Sequence, residues 1–559
     1  RLGLTHAIIS PGSRSTPLVF ALAQDEGIEC IPILDERSAS FFALGIAKRT
    51  GNPVAIACTS GTAGANMFPA AIEARESRVP LLILTADRPP ELQDCHSGQT
   101  IRQARLFGDY PNWQTTLAEP NASDDMLRYL RQTAIYAWER SLSPVPGIVH
   151  LNIPFRDPLV PAPDPHVVAR EGDFDANHFF AGVYPRPAEA FRTIVERPHS
   201  WEECDRGLIV AGPTFPTDPE AYCEAIARLS RYLGWPVLAE GLSPLRNYAD
   251  LNPNLVAHYD LILRDRDLTE RLKPDIVLQV GALPTSKVLR QRLERWQPLT
   301  WVVDAGDRNL DPLHGRAERL PISVEQLAGS LANRVSALPP QAKLWLDAEQ
   351  HVRAAVDDLM SNCDRLLESK VAWMLSRHLP EKTLLFIANS TPVRDVEWFW
   401  GTGRSRVRPY CNRGANGIDG TLSSALGMAH GDRGSVLLTG DLALLHDTNG
   451  FLAAQKLRGH LTIVLLNNNG GGIFNLLPVA NYDPPFEEFF ATPQQVDVAK
   501  LCAAYGVEWE LVETWQQFAN ALDPLPEAGV RVLEIRSDRR TDARWRLDHL
   551  DRFVAHFRP

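Results

Sequence analysis

The sequence predicts an α/β protein built from three doubly wound parallel-sheet domains. Two observations carry that reading. Short apolar runs alternate with helical stretches along the whole chain, the pattern of a parallel sheet covered on both faces. Two proline-bearing stretches then cut the alternation into parts of similar size. The 559 residues, at roughly 150 per domain, allow three or four such parts.

In the first domain, 1–165, the runs 7–9, 54–57, 81–84 and 148–149 read as buried strands. Helical patterns follow Pro17, Arg37, Ala63 and Ser123. The apolar run 31–34 ends in Asp35-Glu36-Arg37. The prolines of 152–165 mark a linker. The second domain, 190–335, has strands at 208–212, 275–281 and 301–304 and helices at 218–233 and 323–333. Pro339 and Pro340 mark the next boundary. The third domain, 342–559, has strands at 384–387, 436–438, 463–466 and 531–535. Arg1-Leu2-Gly3 reads as the end of a helix, and the absence of an initial methionine leaves room for preceding residues, a targeting segment among them.

Composition excludes several classes. The net charge is −11 and no long basic run offsets it, which argues against sequence-independent nucleic-acid binding. The eight cysteines form no C-x-x-C pair and read as reduced thiols of a cytoplasmic protein. No apolar run approaches the roughly 18 residues of a membrane span, and no signal peptide is visible.

The strongest motif lies in the third domain. The strand at 436–438 ends in Gly440-Asp441, helical text follows over about 448–457, and the strand at 463–466 ends in Asn467-Asn468-Asn469-Gly470-Gly471-Gly472. Asp441 and Asn468 are 27 positions apart, room for a strand–helix–strand crossover. Both groups then sit at the carboxyl ends of neighbouring strands, where open α/β sheets bind ligands. A carboxylate (Asp441), an amide oxygen (Asn468) and a backbone carbonyl (Gly470) are hard donors suited to Mg²⁺ carrying a diphosphate.

Gly-Asp, a gap of this size and Asn-Asn resemble the signature of the thiamine-diphosphate enzymes. Within them the chain most resembles the 2-succinyl-5-enolpyruvyl-6-hydroxy-3-cyclohexene-1-carboxylate (SEPHCHC) synthases. The matching stretches are 10–17 (SPGSRSTP), Asp35-Glu36-Arg37, 59–63 (TSGTA), 84–92 (LTADRPPEL), 412–420 (NRGANGIDG), Gly440-Asp441-Leu442 and 467–474 (NNNGGGIF). Leu442 stands where the broad family has Gly, and suits this subgroup.

The resemblance implies three domains of the thiamine-diphosphate type: pyrimidine-binding, central and diphosphate-binding. It implies thiamine diphosphate with Mg²⁺, or Mn²⁺, bound by Asp441, Asn468 and Gly470. It implies decarboxylation of 2-oxoglutarate and addition of the four-carbon remainder to isochorismate, releasing CO2, in menaquinone or phylloquinone synthesis. It also implies a homodimer or homotetramer with active sites at the subunit interface.

Glu36 matches the acid that hydrogen-bonds the aminopyrimidine ring and promotes the tautomer able to deprotonate the thiazolium. An isolated Glu there would simply favour the helix dipole. Ser390, Gly417, Ile418, Gly471, Ile473 and Phe474 join Gly440, Asp441 and Leu442 as implied cofactor contacts, with Ile418 propping the two rings into a V. Both substrates are dianions, and arginine forks suit carboxylates. Arg14, Arg394 and Arg413, with Gln99, are the implied catalytic contacts. Ser13, Arg88, Lys287, Ser390, Phe474 and Leu477 complete the implied substrate set. Three positions depart from the family: Gly98, Val288 and Ala388. No histidine falls in a catalytic motif, although His446 lies close to Asp441. The competing reading is another thiamine-diphosphate carboligase or decarboxylase, such as an acetohydroxyacid synthase. A nucleotide-linked oxidoreductase fits poorly, because Ala211-Gly212-Pro213 is no G-x-G-x-x-G and Pro213 offers no amide donor.

Overall fold

Three six-stranded sheets, parallel in every described pair, organise the chain. The computed structural model describes residues 1–162, 174–184, 198–555 and 557. The end of the expected linker at 163–165, the expected domain start at 190 and residues 558–559 lie outside them.

The first sheet holds β1 (His6–Ile9), β2 (Glu29–Pro32), β3 (Val54–Cys58), β4 (Leu81–Asp87), β5 (Trp113–Thr116) and β6 (Ile148–Pro154), in the order β2-β1-β3-β4-β6-β5. The second holds β7 (Gly207–Ala211), β8 (Val237–Ala239), β9 (Leu255–Val256), β10 (Ile276–Val280), β11 (Leu299–Val303) and β12 (Arg316–Leu320), in the order β12-β11-β10-β7-β8-β9. The third holds β13 (Leu384–Ile387), β14 (Arg408–Tyr410), β15 (Asp432–Gly440), β16 (Gly459–Asn467), β17 (Glu508–Leu511) and β18 (Gly529–Arg536), in the order β14-β13-β15-β16-β18-β17.

The interior strands β3, β6, β7, β10 and β13 are buried at every position. Covered on both faces, β3, β7 and β13 carry unbroken apolar text, which is why they were readable, whereas β6 and β10 bury His150, Asn152 and Gln279 among their apolar residues. The expected strands are present, some much longer than read: 148–149 lies in Ile148–Pro154 and 436–438 in Asp432–Gly440. Other details differ. Arg1 to Thr5 are irregular chain rather than the end of a helix. β2 is Glu29–Pro32, and the apolar run continues past it into a turn where Leu34 is exposed. Residues 152–154 belong to β6, not to a linker. The helix expected over 323–333 is Val324–Gly329, stopped after two turns.

The chain divides into two compact units. One comprises 1–190, 412–432 and 446–458 and contains the first sheet. The other comprises 191–411, 433–445 and 459–559 and contains the second and third sheets. In this second unit a single apolar cluster runs from Leu208 and Val277 of the second sheet to Leu385 and Val464 of the third. Trp345 and Val352 of the long helix Pro340–Ser361 belong to the same cluster.

In the first unit, the helix Glu36–Thr50 crosses Thr421–Ala429 backbone to backbone. A Cβ on Gly45 would lie 2.0 Å from the Ser424 carbonyl oxygen, and one on Gly427 would lie 1.9 Å from that of Phe42. Only glycine permits such an approach.

Candidate active site

In the first unit, the expected residues gather at the carboxyl ends of β1, β3 and β4. The chain turns one way from β1 to β2 and the other way to β3, so the crevice between β1 and β3 is a topological switch point. Gly12, in the loop after β1, packs so tightly on that after β3 that a Cβ would meet Thr59 Cβ at 2.3 Å.

Ser13 is exposed, and Arg14 behind it is buried. Arg14 donates to the Phe155 carbonyl at 2.9 Å and lies 3.5 Å from the exposed carboxylate of Asp157, while its Nε is buried without a partner. Arg88 follows β4 and donates to Ser60 Oγ. Burial, and then the nearby Arg14 cation, pull the Arg88 guanidinium below its ordinary value. Two neighbouring guanidinium groups at the mouth of a crevice suit an anion. Gln99 donates to the Ser60 carbonyl at 2.9 Å and adopts φ +59°, a left-handed conformation for a non-glycine residue.

Glu36 is the first residue of its helix, half-buried, with Asp35 capping Ser38 N at 3.0 Å. Its carboxylate reaches the end of β3: the Cys58 thiol is pushed up, first by burial and then by the charge of Glu36. The 412–420 loop belongs to the same unit and carries Arg413, Gly417 and the half-buried Ile418. It rests on Glu73, which was not anticipated. Glu73 accepts from Gly414 N at 3.1 Å and Ala415 N at 2.7 Å, and Lys48 Nζ joins it at 3.1 Å while donating to Asn412 Oδ1 at 2.9 Å. The signal was a lone acid among the buried alanines of the helix Phe68–Glu76.

In the second unit, the third sheet has its own switch point between β13 and β15. Ser390, after β13, adopts φ +75°, ψ −131°, a strained backbone for serine at such a crevice. Arg394 donates back to the Ser390 carbonyl at 2.6 Å.

Gly440 ends β15 and Asp441 follows it, and Asn468 follows the neighbouring β16, as the spacing predicts. The crossover consists of a short helix, Asp441–His446, and a 3₁₀ stretch, Thr448–Lys456, where one helix was expected. His446 at its end is exposed.

Asp441 is buried and accepts from Leu442 N at 2.9 Å and Gly470 N at 2.7 Å. Among the described residues no cation pairs with it, and burial pushes its carboxyl up to about 6 despite those amides. Asn468 is buried, and its Oδ1 has no hydrogen-bond partner among the described residues. A Cβ on Gly440 would enter open space. On Gly470, at φ +133°, a Cβ would meet the Ala491 carbonyl oxygen at 2.4 Å. The glycine run is thus dictated by packing.

A buried carboxyl short of a cation beside an unpartnered amide oxygen fits a divalent metal with hard-oxygen preference. Among the described residues no cluster of three His, Cys, Asp or Glu side chains forms a metal site, so such a metal would need the mixed set of Asp441, Asn468 and a backbone carbonyl.

The Asp441 charge has a measurable consequence. Its folded value stands above the ordinary carboxyl value, so the folded metal-free protein holds the proton more tightly than the unfolded chain. Stability is lost as pH rises from about 4 to about 6. Relative to Asp441→Asn, the wild-type melting temperature should therefore fall across that window. A constant gap between the two would contradict an unpaired buried carboxylate.

Beyond the glycines, Ile473 and Phe474 sit on the 3₁₀ segment Gly472–Leu476, with Phe474 edge-on to Phe490 at 5.8 Å, and Leu477 is exposed after it. Lys287 stands apart from this group in the fold. It opens the helix Lys287–Trp296 of the second sheet and is exposed, while Val288 packs on the core.

Three family models match the chain. The N-terminal thiamine pyrophosphate-binding domain model matches residues 1–106, the middle domain model 188–387 and the C-terminal thiamine pyrophosphate-binding domain model 403–535. A SEPHCHC synthase of Trichormus variabilis is 58% identical over 561 aligned positions, 99% of this chain and 96% of the relative. The chain belongs to the SEPHCHC synthase family of thiamine-diphosphate enzymes. Family members from Gloeothece citriformis and Synechococcus sp. (strain JA-3-3Ab) are 57% and 54% identical, each across 99% of this chain and 96% and 94% of theirs. A thiamin diphosphate-dependent enzyme structure from Mycobacterium smegmatis shares the fold at TM-score 0.65 and 17% identity, covering 96% of this chain and 97% of that one.

Proposed function

We propose that the protein is a SEPHCHC synthase, which decarboxylates 2-oxoglutarate and joins the remaining four carbons to isochorismate with release of CO2. The observation that carries this is the full-length identity to synthases of that name. The shared 2-oxo acid chemistry alone would equally suit an acetohydroxyacid synthase. Thiamine diphosphate, when bound, supplies the carbanion chemistry.

The chain's own groups do the rest. Glu36 holds a proton at the aminopyrimidine ring. Asp441, Asn468 and the Gly470 carbonyl hold Mg²⁺, with Mn²⁺ as an alternative, against the diphosphate. Gly440, Leu442 and Gly471 leave the backbone close to it, Ser390 and Gly417 are further contacts, and Ile418 supports the rings.

The neighbouring cations Arg14 and Arg88 favour an anionic substrate. Ser13, Gln99, Arg394, Arg413 and Lys287 are assigned to the substrates with them. Ile473, Phe474 and Leu477 form an apolar wall that excludes water from the reacting carbon.

We assign the domains to 1–165, 190–335 and 342–559 and the assembly to a homodimer or homotetramer. The assignment to menaquinone or phylloquinone synthesis follows from the same identity. A cytoplasmic location is supported by the eight free cysteines. No helix among the described residues is long and apolar enough to cross a membrane.

Product mass spectrometry tests the reading. With 2-oxoglutarate, isochorismate, thiamine diphosphate and Mg²⁺, the expected result is the SEPHCHC mass, dependent on both substrates. Turnover of pyruvate instead of 2-oxoglutarate would reassign the enzyme.

A further inference from the structure

The orientation of the Asn468 amide is set by a buried acid that lies in none of the motifs. Asn468 Nδ2 donates to Glu368 Oε1, which leaves Oδ1 as the unpartnered atom. Glu368 opens the helix Glu368–His378 and is 1% exposed. Its second oxygen accepts from Arg546 Nη2 at 2.7 Å. Arg546, equally buried, also holds Asp395, with Nε to Oδ1 at 2.9 Å, and Ser369 donates to that same oxygen at 3.0 Å. Ser537 donates to Glu368 Oε1 at 3.3 Å.

An asparagine amide can present either end to a ligand, and its neighbours decide which. A carboxyl oxygen that accepts from the amide takes its NH2 end and turns the carbonyl away. A guanidinium only donates, so Arg546 takes the other Glu368 oxygen as its acceptor. The stack Asp395–Arg546–Glu368–Asn468 therefore passes a fixed polarity from one side chain to the next.

We propose that Glu368 is a positioning residue that holds the Asn468 carbonyl oxygen outward as a ligand for the divalent cation, an inference that rests on the proposed Asp441–Asn468 metal centre. The same polarity argument predicts the effect of an isosteric change. In Glu368→Gln, Arg546 selects the carbonyl of the new amide, and its NH2 faces Asn468. Asn468 turns over to accept from it, and the cation meets an N–H donor. Asn468→Asp in that background restores a ligand, because a carboxylate accepts from the new amide with one oxygen and offers the other. Asn468→Asp alone sets two carboxylates against each other.

The test is Mg²⁺-dependent thiamine diphosphate binding, by calorimetry on the full-length protein with Mg²⁺ or with chelator, and circular dichroism as the fold control. Each single variant is expected to lose about 10–100-fold in affinity, as supporting residues of metal sites do, and the double variant to bind more tightly than either single. Wild-type affinity in Glu368→Gln, or a double variant weaker than both singles, would overturn the proposal. Where one single variant fails to fold, the order of the other single against the double decides it. Asp441→Ala separates the two levels of inference. If it keeps wild-type Mg²⁺ dependence, the metal centre itself is misassigned. If it loses that dependence while Glu368→Gln keeps it, only the positioning role falls.

Discussion

Glu36→Gln is expected to reduce turnover by at least about 10²–10⁴-fold, the usual worth of a positioned acid–base group, while thiamine diphosphate binding stays close to wild type. The side chain starts a helix directly after β2, with its backbone fixed by the Asp35 cap. The amide matches the acid in volume, so packing and the helix survive. It cannot exchange a proton with a ring nitrogen, so the activating step is lost while the contacts of the diphosphate end are untouched. Steady-state rates combined with cofactor titration separate these outcomes. Wild-type turnover would remove Glu36 from the chemistry, and loss of binding in step with turnover would make it an anchor instead.

Asp441→Ala is expected to abolish the Mg²⁺-dependent part of cofactor affinity, a loss larger than the about 10–100-fold cost of a supporting residue. Two amides, Leu442 N and Gly470 N, lose their acceptor, and the proposed metal centre loses its one carboxylate. Removing the buried charge also removes its desolvation cost, so the metal-free variant should remain folded. Cofactor titrations at several Mg²⁺ concentrations check this. Unchanged Mg²⁺ dependence would exclude Asp441 as a ligand.

The sequence was most informative where burial is two-sided. β3, β7 and β13 are short unbroken apolar runs, and the motif residues sit at their carboxyl ends or those of their neighbours. What it hid are the sheet edges. β5 (WQTT), β12 (RAERL) and β17 (EWEL) are edge strands with polar or alternating text, half-covered and therefore not distinguishable from loop. Local text also misjudged the crossover after Asp441, where a short helix and a 3₁₀ stretch replace one helix.

Within the candidate site, the groups proposed to approach a ligand were named from spacing and family resemblance. Those that orient them were not. Glu368, Asp395 and Arg546 come from three separate helices, and only the fold makes them neighbours of Asn468. Glu73 went unread as well, although a charge on an alanine face has to find partners.

The most direct measurement is calorimetric titration of the metal-free, full-length protein with thiamine diphosphate, once with Mg²⁺ and once with chelator. The account predicts saturable uptake that Mg²⁺ strengthens and that Asp441→Ala reduces to the chelator level. Absence of uptake, or uptake indifferent to Mg²⁺, would contradict it.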